Sequence, residues 1–274
     1  MSEGRALDHA QGVLGRPGVS GKRVLVTGGT RGLGEQIVRL LAGAGAQVAT
    51  CARTAGDLES LRRSLAARNP GQLFTQALDV TEPERLESFV AASAKRFSGL
   101  DGVVASVGGS RGRSLELADA EDWAATWELN VGHTARLVRA AVPHLRAAGG
   151  GSVVVISSIS GWKPGPNAQY GSAKSAQIHL AASLARELGP DGIRVNAVSP
   201  GSMLIPGRRW DRMRSEDPEA FAAFARAELP GGGPVAPHEV ARVVAFLLSD
   251  WSSGISGANL PVDRAQNAPS PDGY

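Results

Sequence analysis

The stretch from Lys22 to Leu41 constrains this chain most. A short β-branched run, Lys22-Arg-Val-Leu-Val-Thr27, leads directly into Thr27-Gly28-Gly29-Thr30-Arg31-Gly32-Leu33-Gly34. Residues Gln36 to Leu41 then carry helical periodicity. Strand, glycine-rich turn and helix in that order open a dinucleotide-binding βαβ unit. In such a unit Gly28 lets the backbone turn sharply, Gly32 admits a pyrophosphate, and Gly34 lets helix and strand pack closely.

The rest of the chain repeats the alternation. Further strands are expected at Gln47 to Cys51, Leu73 to Leu78, Leu100 to Val107, Gly151 to Ile156, Ile193 to Ser199 and Asn259 to Val262. Helices are expected at Asp57 to Arg68, Pro83 to Phe97, Glu121 to Leu145, Tyr170 to about Leu188 and Pro237 to Leu248. Seven strands alternating with helices, without a break in composition or an internal repeat, give one α/β domain. That domain is placed at 21–263, between a flexible N-terminal arm (1–20) and a C-terminal tail (264–274). Residues 164–166 are crowded with proline and glycine and read as a loop. Residues 202–235 are polar and irregular, with helical pieces near Trp210 and from Pro218 to Glu228. A segment that long in a compact α/β domain is expected to be a lid or substrate loop.

The strand ends carry the candidate chemistry. In these folds a carboxylate after the second strand bonds the ribose 2′-hydroxyl of NAD, whereas an arginine accepts the 2′-phosphate of NADP. Residues 51 to 54 are Cys, Ala, Arg and Thr, and Arg31 lies in the glycine turn, which favours NADP(H). Both arginines also fit a solvated surface. Asp79-Val80 closes the third strand, where the carboxylate can meet the adenine amino group. Asn130, between Leu129 and Val131, is either a bonded core residue or part of a site. His133 reads as a core or interface histidine, and no metal set forms around it. Ser157, Ser158 and Ser160 follow the most apolar strand.

Tyr170 and Lys174 stand out against the composition. There are two tyrosines, the other being Tyr274, and four lysines against twenty-five arginines. Spacing of i and i+4 stacks the pair on one helix face, about 6 Å apart at Cβ. An ammonium beside a phenol favours the phenolate, which suits a group that acts as both acid and base. Arginine's planar fork does not substitute for that compact charge.

Composition excludes several other roles. The net charge of +3, from 29 basic and 26 acidic residues without a long basic run, argues against a nucleic-acid partner. The single cysteine, Cys51, rules out an intrachain disulfide and suits a reducing compartment. No apolar run approaches the roughly 18 residues of a membrane span. No signal peptide is visible, so a cytoplasmic location is expected.

From about Gly21 to Asp263 the chain resembles the short-chain dehydrogenase/reductase family. The motifs are Thr27-Gly28-xxx-Gly32-x-Gly34, Asp79, Asn130, Ser158, Tyr170-xxx-Lys174, Asn196 and Pro200-Gly201, in order and spacing. The resemblance implies a Rossmann-type, doubly wound parallel sheet of about seven strands with helices on both faces. It further implies that Tyr170 protonates a ketone oxygen or deprotonates an alcohol, and that Ser158 polarises the carbonyl. Lys174 would lower the Tyr170 pKa and hold the nicotinamide ribose, with Asn130 positioning a water behind it. Cofactor contacts are implied for Thr27, Gly28, Thr30, Arg31, Gly32, Leu33, Gly34, Arg53, Asp79, Val80, Gly108, Tyr170, Lys174, Pro200 and Gly201.

Three departures stand out. Ser106-Val107-Gly108 replaces the family's Asn-Ala-Gly, whose asparagine ties neighbouring strands; Ser202 is a displaced substitute for the threonine beyond Pro-Gly that bonds the cofactor's carboxamide; and Asp263-Arg264-Ala265 replaces Asp-Gly-Gly. The function expected is an NADP(H)-dependent ketoreductase of the 3-oxoacyl-thioester type. Its rivals are dehydrogenation of a secondary alcohol or sugar hydroxyl, and a non-catalytic NADP-binding regulator. Arg208, Arg209, Arg212 and Arg214, with Arg111 and Arg113 on another rim, would steer an anionic thioester, or else form a solvated basic turn. Small residues on the helices, among them Ala173, Ala176, Ala181 and Ala182, point to a homotetramer.

Overall fold

The computed structural model describes residues 18–66, 73–111, 114–165 and 167–267. Most of the expected arm (1–17), part of the expected tail (268–274), Arg68, Arg113 and Pro166 lie outside the described residues.

Seven parallel strands form one sheet in the order β3-β2-β1-β4-β5-β6-β7. They are β1 (Arg23–Thr27), β2 (Gln47–Ala52), β3 (Leu73–Ala77), β4 (Gly102–Ala105), β5 (Gly151–Ile156), β6 (Ile193–Pro200) and β7 (Asn259–Val262). The helices are α1 (Gly32–Gly43), α2 (Ala55–Ala66), α3 (Pro83–Phe97), α4 (Ala120–Trp127), α5 (His133–Ala147), α6 (Ala168–Leu188), α7 (Arg209–Glu216), α8 (Pro218–Glu228) and α9 (Pro237–Leu248). The expected doubly wound parallel sheet is therefore present.

Alternation along the central strands divides the core into two layers. Leu25, Val103, Val153 and Val155 face α3, α5 and α6, packing with Phe89, Leu137 and Leu145. Val24, Val26, Val104 and Val154 face α1 and α9, packing with Ile37, Leu41, Val244 and Leu248. Both faces of the sheet are buried, as a parallel sheet requires, so its central strands are nearly continuous in apolar residues.

Several boundaries differ from expectation. Val19 is fully buried in the second layer, so Gly18–Ser20 belong to the folded body rather than to an arm. The first residues of the expected tail are also folded: Gln266 is buried and its carbonyl accepts from Lys163 Nζ at 3.0 Å. Ala173 and Ala181 are core residues of α6, leaving Ala176 and Ala182 as the half-buried pair.

The expected helix from Glu121 to Leu145 is broken by a π-turn at Glu128–Gly132. Within it Asn130 Nδ2 donates to the Thr126 carbonyl at 2.7 Å, in the place where the residue's own backbone N–H would serve in an α-helix. The same Nδ2 also donates to the Gly109 carbonyl in the loop after β4, and α5 starts beyond the turn at His133.

His133 is fully buried, as read from the sequence, and neither ring nitrogen has a well-aligned partner. Burial, reinforced by the Lys174 charge, pushes its pKa down to about 3, against weaker opposing effects of the Leu129 carbonyl and Asp79. The unfolded chain takes up a proton below about pH 6.5 that the native ring refuses until about 3. Stability is thus unaffected above 6.5 and falls as pH drops through that window. The expected loss from this residue is about 2 kcal/mol at pH 5. Urea unfolding at pH 7 and pH 5 should show that difference shrinking by about this amount in His133→Leu. An unchanged difference would contradict the assignment.

Candidate functional site

All seven strands end on one edge, and the strand order reverses between β1 and β4. Open α/β sheets place ligand crevices at that switch point. A cleft of about 660 Å³ lies there. Among the sequence candidates, Gly28, Thr30, Arg31, Gly32, Leu33, Gly34, Arg53, Asp79, Val80, Gly108, Ser158, Tyr170, Lys174, Pro200 and Gly201 line it. Thr27 and Asn130 do not; both are fully buried behind its wall.

The glycine turn is held by close approaches. Gly28 and Gly32 have φ of +75° and +57°, and a Cβ on Gly34 would stand 2.2 Å from the Gly28 carbonyl oxygen. Arg31 at the N-cap of α1 is extended and its side chain makes no cap bond, which leaves the first-turn N–H groups for a ligand. The cleft runs from this turn to Tyr170, so its length and its donors fit a dinucleotide.

At one end, positive charge collects. The Arg31 guanidinium is lowered by burial and by the charges of Arg208 and Arg53, with Asp57 acting the other way. Arg208, Arg209 and Arg212, read from sequence as lid residues, line this same cleft. The segment expected to form a lid holds two short helices, α7 and α8, joined by Trp210 stacked on Phe224 at 4.0 Å between ring centres. Arg214 instead pairs with Asp211 at 3.0 Å. Desolvation raises the Asp79 carboxyl, but hydrogen bonds from Thr81, helped by Arg53 and Arg111, hold it below the usual carboxylate range. Thr81 binds Oδ1 twice, through its N–H at 3.0 Å and its hydroxyl at 2.8 Å.

At the other end, β5 and α6 bring Ser158, Tyr170 and Lys174 together. Asn167 caps α6 through the Tyr170 N–H, which sets the tyrosine in the first turn. Ser158 stands close enough to the Tyr170 phenol to lower its pKa, and Lys174 Nζ lies 5.6 Å from the tyrosine ring centre. Ser157 Oγ donates to the Lys174 carbonyl at 2.8 Å and fixes α6 against β5. Burial pushes the Tyr170 phenol up, with the neighbouring Ser158 side chain opposing it. The sequence expectation that Lys174 would set a low tyrosine pKa is corrected here: desolvation outweighs every other influence on the phenol. Lys174 itself is brought down by burial to about 7. Its ammonium donates to the Ile156 carbonyl at 2.9 Å and to Gln177 Oε1 at 2.8 Å.

Asn130 works from behind this wall. Its Nδ2 donates to the Gly109 carbonyl at 2.7 Å and its Oδ1 accepts the Gly109 N–H at 3.2 Å, pinning the loop after β4. Thr126 pins the same loop through Arg111. Sequence reasoning missed Thr126, Gln266 and Gln177. Only Gln177 had a signal, being a polar residue three positions after Lys174 on a helix face that meets the sheet.

The departures resolve physically. The tie between β1 and β4 comes from Thr27, whose hydroxyl accepts the Ser106 N–H at 3.0 Å and donates to the Val104 carbonyl at 3.4 Å. Ser202 is no substitute carboxamide partner: it is buried, and Gln266 binds its N–H at 2.7 Å and its hydroxyl at 2.9 Å. Arg264 and Ala265 take positive φ values of 53° and 67°, conformations that the family's glycines adopt without strain. Asp263 supports that turn by accepting from the Ala265 and Asn267 N–H groups.

Two glycines of α1 test the turn. Gly34→Ala drives a Cβ into backbone, whereas Gly43→Ala meets nothing within 4 Å. The first should cost about 1–3 kcal/mol of stability and weaken dinucleotide binding. The second should be neutral or stabilising by up to about 1 kcal/mol. Chemical denaturation of both variants checks this, and equal effects would contradict the packing described.

Comparison with known proteins agrees with this geometry. A family model described as Enoyl-(Acyl carrier protein) reductase matches residues 28–264. Isoepoxydon dehydrogenase of Penicillium expansum is 36% identical over 250 residues, covering 90% of this chain and 95% of that protein. The 3-oxoacyl-(acyl-carrier-protein) reductase of Thermotoga maritima is 30% identical over 246 residues, covering 89% and 97%. The crystal structure of L-sorbose reductase from Gluconobacter frateurii, complexed with NADPH and L-sorbose, superposes with a TM-score of 0.85. It is 29% identical, and the match covers 92% of this chain and 99% of that one. The chain belongs to the short-chain dehydrogenase/reductase family of oxidoreductases.

Proposed function

We propose that this chain is an NADP(H)-dependent oxidoreductase that interconverts a ketone and a secondary alcohol. One observation carries the reading: Ser158, Tyr170 and the Lys174 ammonium line one cleft with the glycine turn of α1. Bound along that cleft, the nicotinamide would supply or accept the hydride. Tyr170 donates its hydroxyl proton to the substrate oxygen, and Ser158 donates a hydrogen bond to the same oxygen. A phenol raised by burial stays protonated at neutral pH, which suits reduction. In the reverse direction the phenolate takes the alcohol proton, supported by the Lys174 charge.

NADP(H) is favoured over NAD(H) by the charge at the far end. Arg31, Arg53 and Arg208 repel one another there, and a 2′-phosphate relieves that repulsion. No carboxylate stands at residues 51–54 to oppose it. The 3-oxoacyl-thioester ketone remains the proposed substrate class, supported by the similarity to the Thermotoga maritima reductase. Oxidation of a secondary alcohol or sugar hydroxyl is the second reading, supported by the isoepoxydon dehydrogenase and L-sorbose reductase similarities. The lid arginines add less to the thioester reading than expected, because Arg208 acts on Arg31. A homotetramer and a cytoplasmic location belong to the same proposal. Exposed Leu115, Leu117 and Trp127 offer apolar surface for assembly, and among the described residues no helix is long and apolar enough to cross a membrane.

Catalytic efficiencies with NADPH and NADH on one shared carbonyl substrate test the reading. The wild type should prefer NADPH by about 10- to 10³-fold, with Arg53→Ala losing most of that preference. Tyr170→Phe should keep cofactor affinity and lose about 10²–10⁴-fold in turnover. Equal use of the two cofactors contradicts the arginine assignment. A Phe variant with more than half the wild-type rate contradicts the assignment of Tyr170.

A further inference from the structure

Gln177 lies one turn beyond Lys174 on α6 and is fully buried. Its amide is bonded at both ends. Oε1 accepts from Lys174 Nζ at 2.8 Å, while Nε2 donates to the Asn130 carbonyl at 2.9 Å and to Thr134 Oγ1 at 3.1 Å. Thr134 Oγ1 in turn donates to the Asn130 carbonyl at 2.6 Å. Only one amide orientation satisfies this set, because the nitrogen has no acceptor to offer the ammonium. Burying a carboxamide is costly unless it is fully bonded, and this one is. The chain thus runs a continuous polar line from the floor of the cleft, across α6, to the π-turn that bears Asn130.

We propose that Gln177 is a positioning residue whose amide clamps the Lys174 ammonium to the Asn130 turn and fixes Nζ beside Tyr170. The proposal rests on the reading of Lys174 as the working cation of the site. The neutral oxygens of Gln177 and Ile156, and no carboxylate, accept from the ammonium. An amide oxygen can only accept, so its bond favours the protonated lysine and works against burial. The titratable groups facing Lys174 are Tyr170 from its own helix and His133 from α5, with Asp79 beyond His133 at the end of β3. Two of these are neutral near pH 7, so the amide is a principal local influence that holds the charge. Lys174 spends two of its three N–H donors on these oxygens, which leaves one for the cleft.

The test follows Lys174 directly. With only four lysines, the chain labelled with ¹³C at lysine Cε gives few resonances, and Lys174→Met identifies the one required. Gln177→Met removes the acceptor at similar volume and should lower the Lys174 titration midpoint by about one pH unit. Gln177→Glu supplies a carboxylate and should raise it by about one unit or more. Opposite shifts are expected; no shift in either variant, or shifts of one sign, would overturn the proposal. Circular dichroism checks folding, and if Gln177→Met does not fold, Gln177→Glu decides alone, an unmoved midpoint overturning the clamp. The readout needs no turnover. Failure of the clamp is therefore read separately from failure of the reductase reading, which is tested by turnover.

Discussion

A lysine buried without a carboxylate is the constraint on which the site depends. Lys174 is brought down to about 7 by desolvation, and its ammonium is held by the oxygens that surround it. Those oxygens come from separate pieces of chain: the Ile156 carbonyl at the end of β5 and the Gln177 amide on α6. Gln177 is itself anchored by the π-turn, and within that turn the Asn130 amide donates to the Thr126 carbonyl. Disturbing any one of these alters where the ammonium stands. The local irregularity of the helix before α5 is therefore part of the site, although Asn130 never reaches the cleft surface.

The two ends of the cleft use charge in opposite ways. Near Tyr170 the Lys174 cation is deeply buried and is held by neutral acceptors. Near the glycine turn several guanidinium groups crowd one another, and the repulsion suits an anion that arrives from solvent. Close packing of Gly34 on the Gly28 carbonyl holds α1 so that its uncapped first turn faces the space between these ends.

Much of this was legible in the sequence because it rests on local patterns. Short β-branched apolar runs, the glycine turn and the Tyr170–Lys174 spacing each report a backbone requirement that few other residues satisfy. The sheet and the cleft-lining residues followed from these. The break at Glu128–Gly132 was not legible, because an asparagine inside a helical pattern does not say whether it faces solvent, core or its own backbone. The tyrosine pKa was misjudged for a related reason: spacing shows that Lys174 is near, while burial depends on everything packed around both. Val19 and Gln266 escaped notice because a single buried residue in a polar stretch has no periodicity. Ser202 was offered as a cofactor partner by position alone, and long-range pairing with Gln266 overrode it.

The central claim is that one dinucleotide spans the cleft from the arginines to Tyr170. A crystal structure of the chain soaked with NADPH tests it most directly. The account expects the pyrophosphate on the first turn of α1 and the 2′-phosphate between Arg31 and Arg53. It also expects the nicotinamide ribose hydroxyls within hydrogen-bonding distance of Tyr170 Oη and Lys174 Nζ. A dinucleotide bound elsewhere, or one whose nicotinamide end lies away from Tyr170 and Lys174, would contradict it.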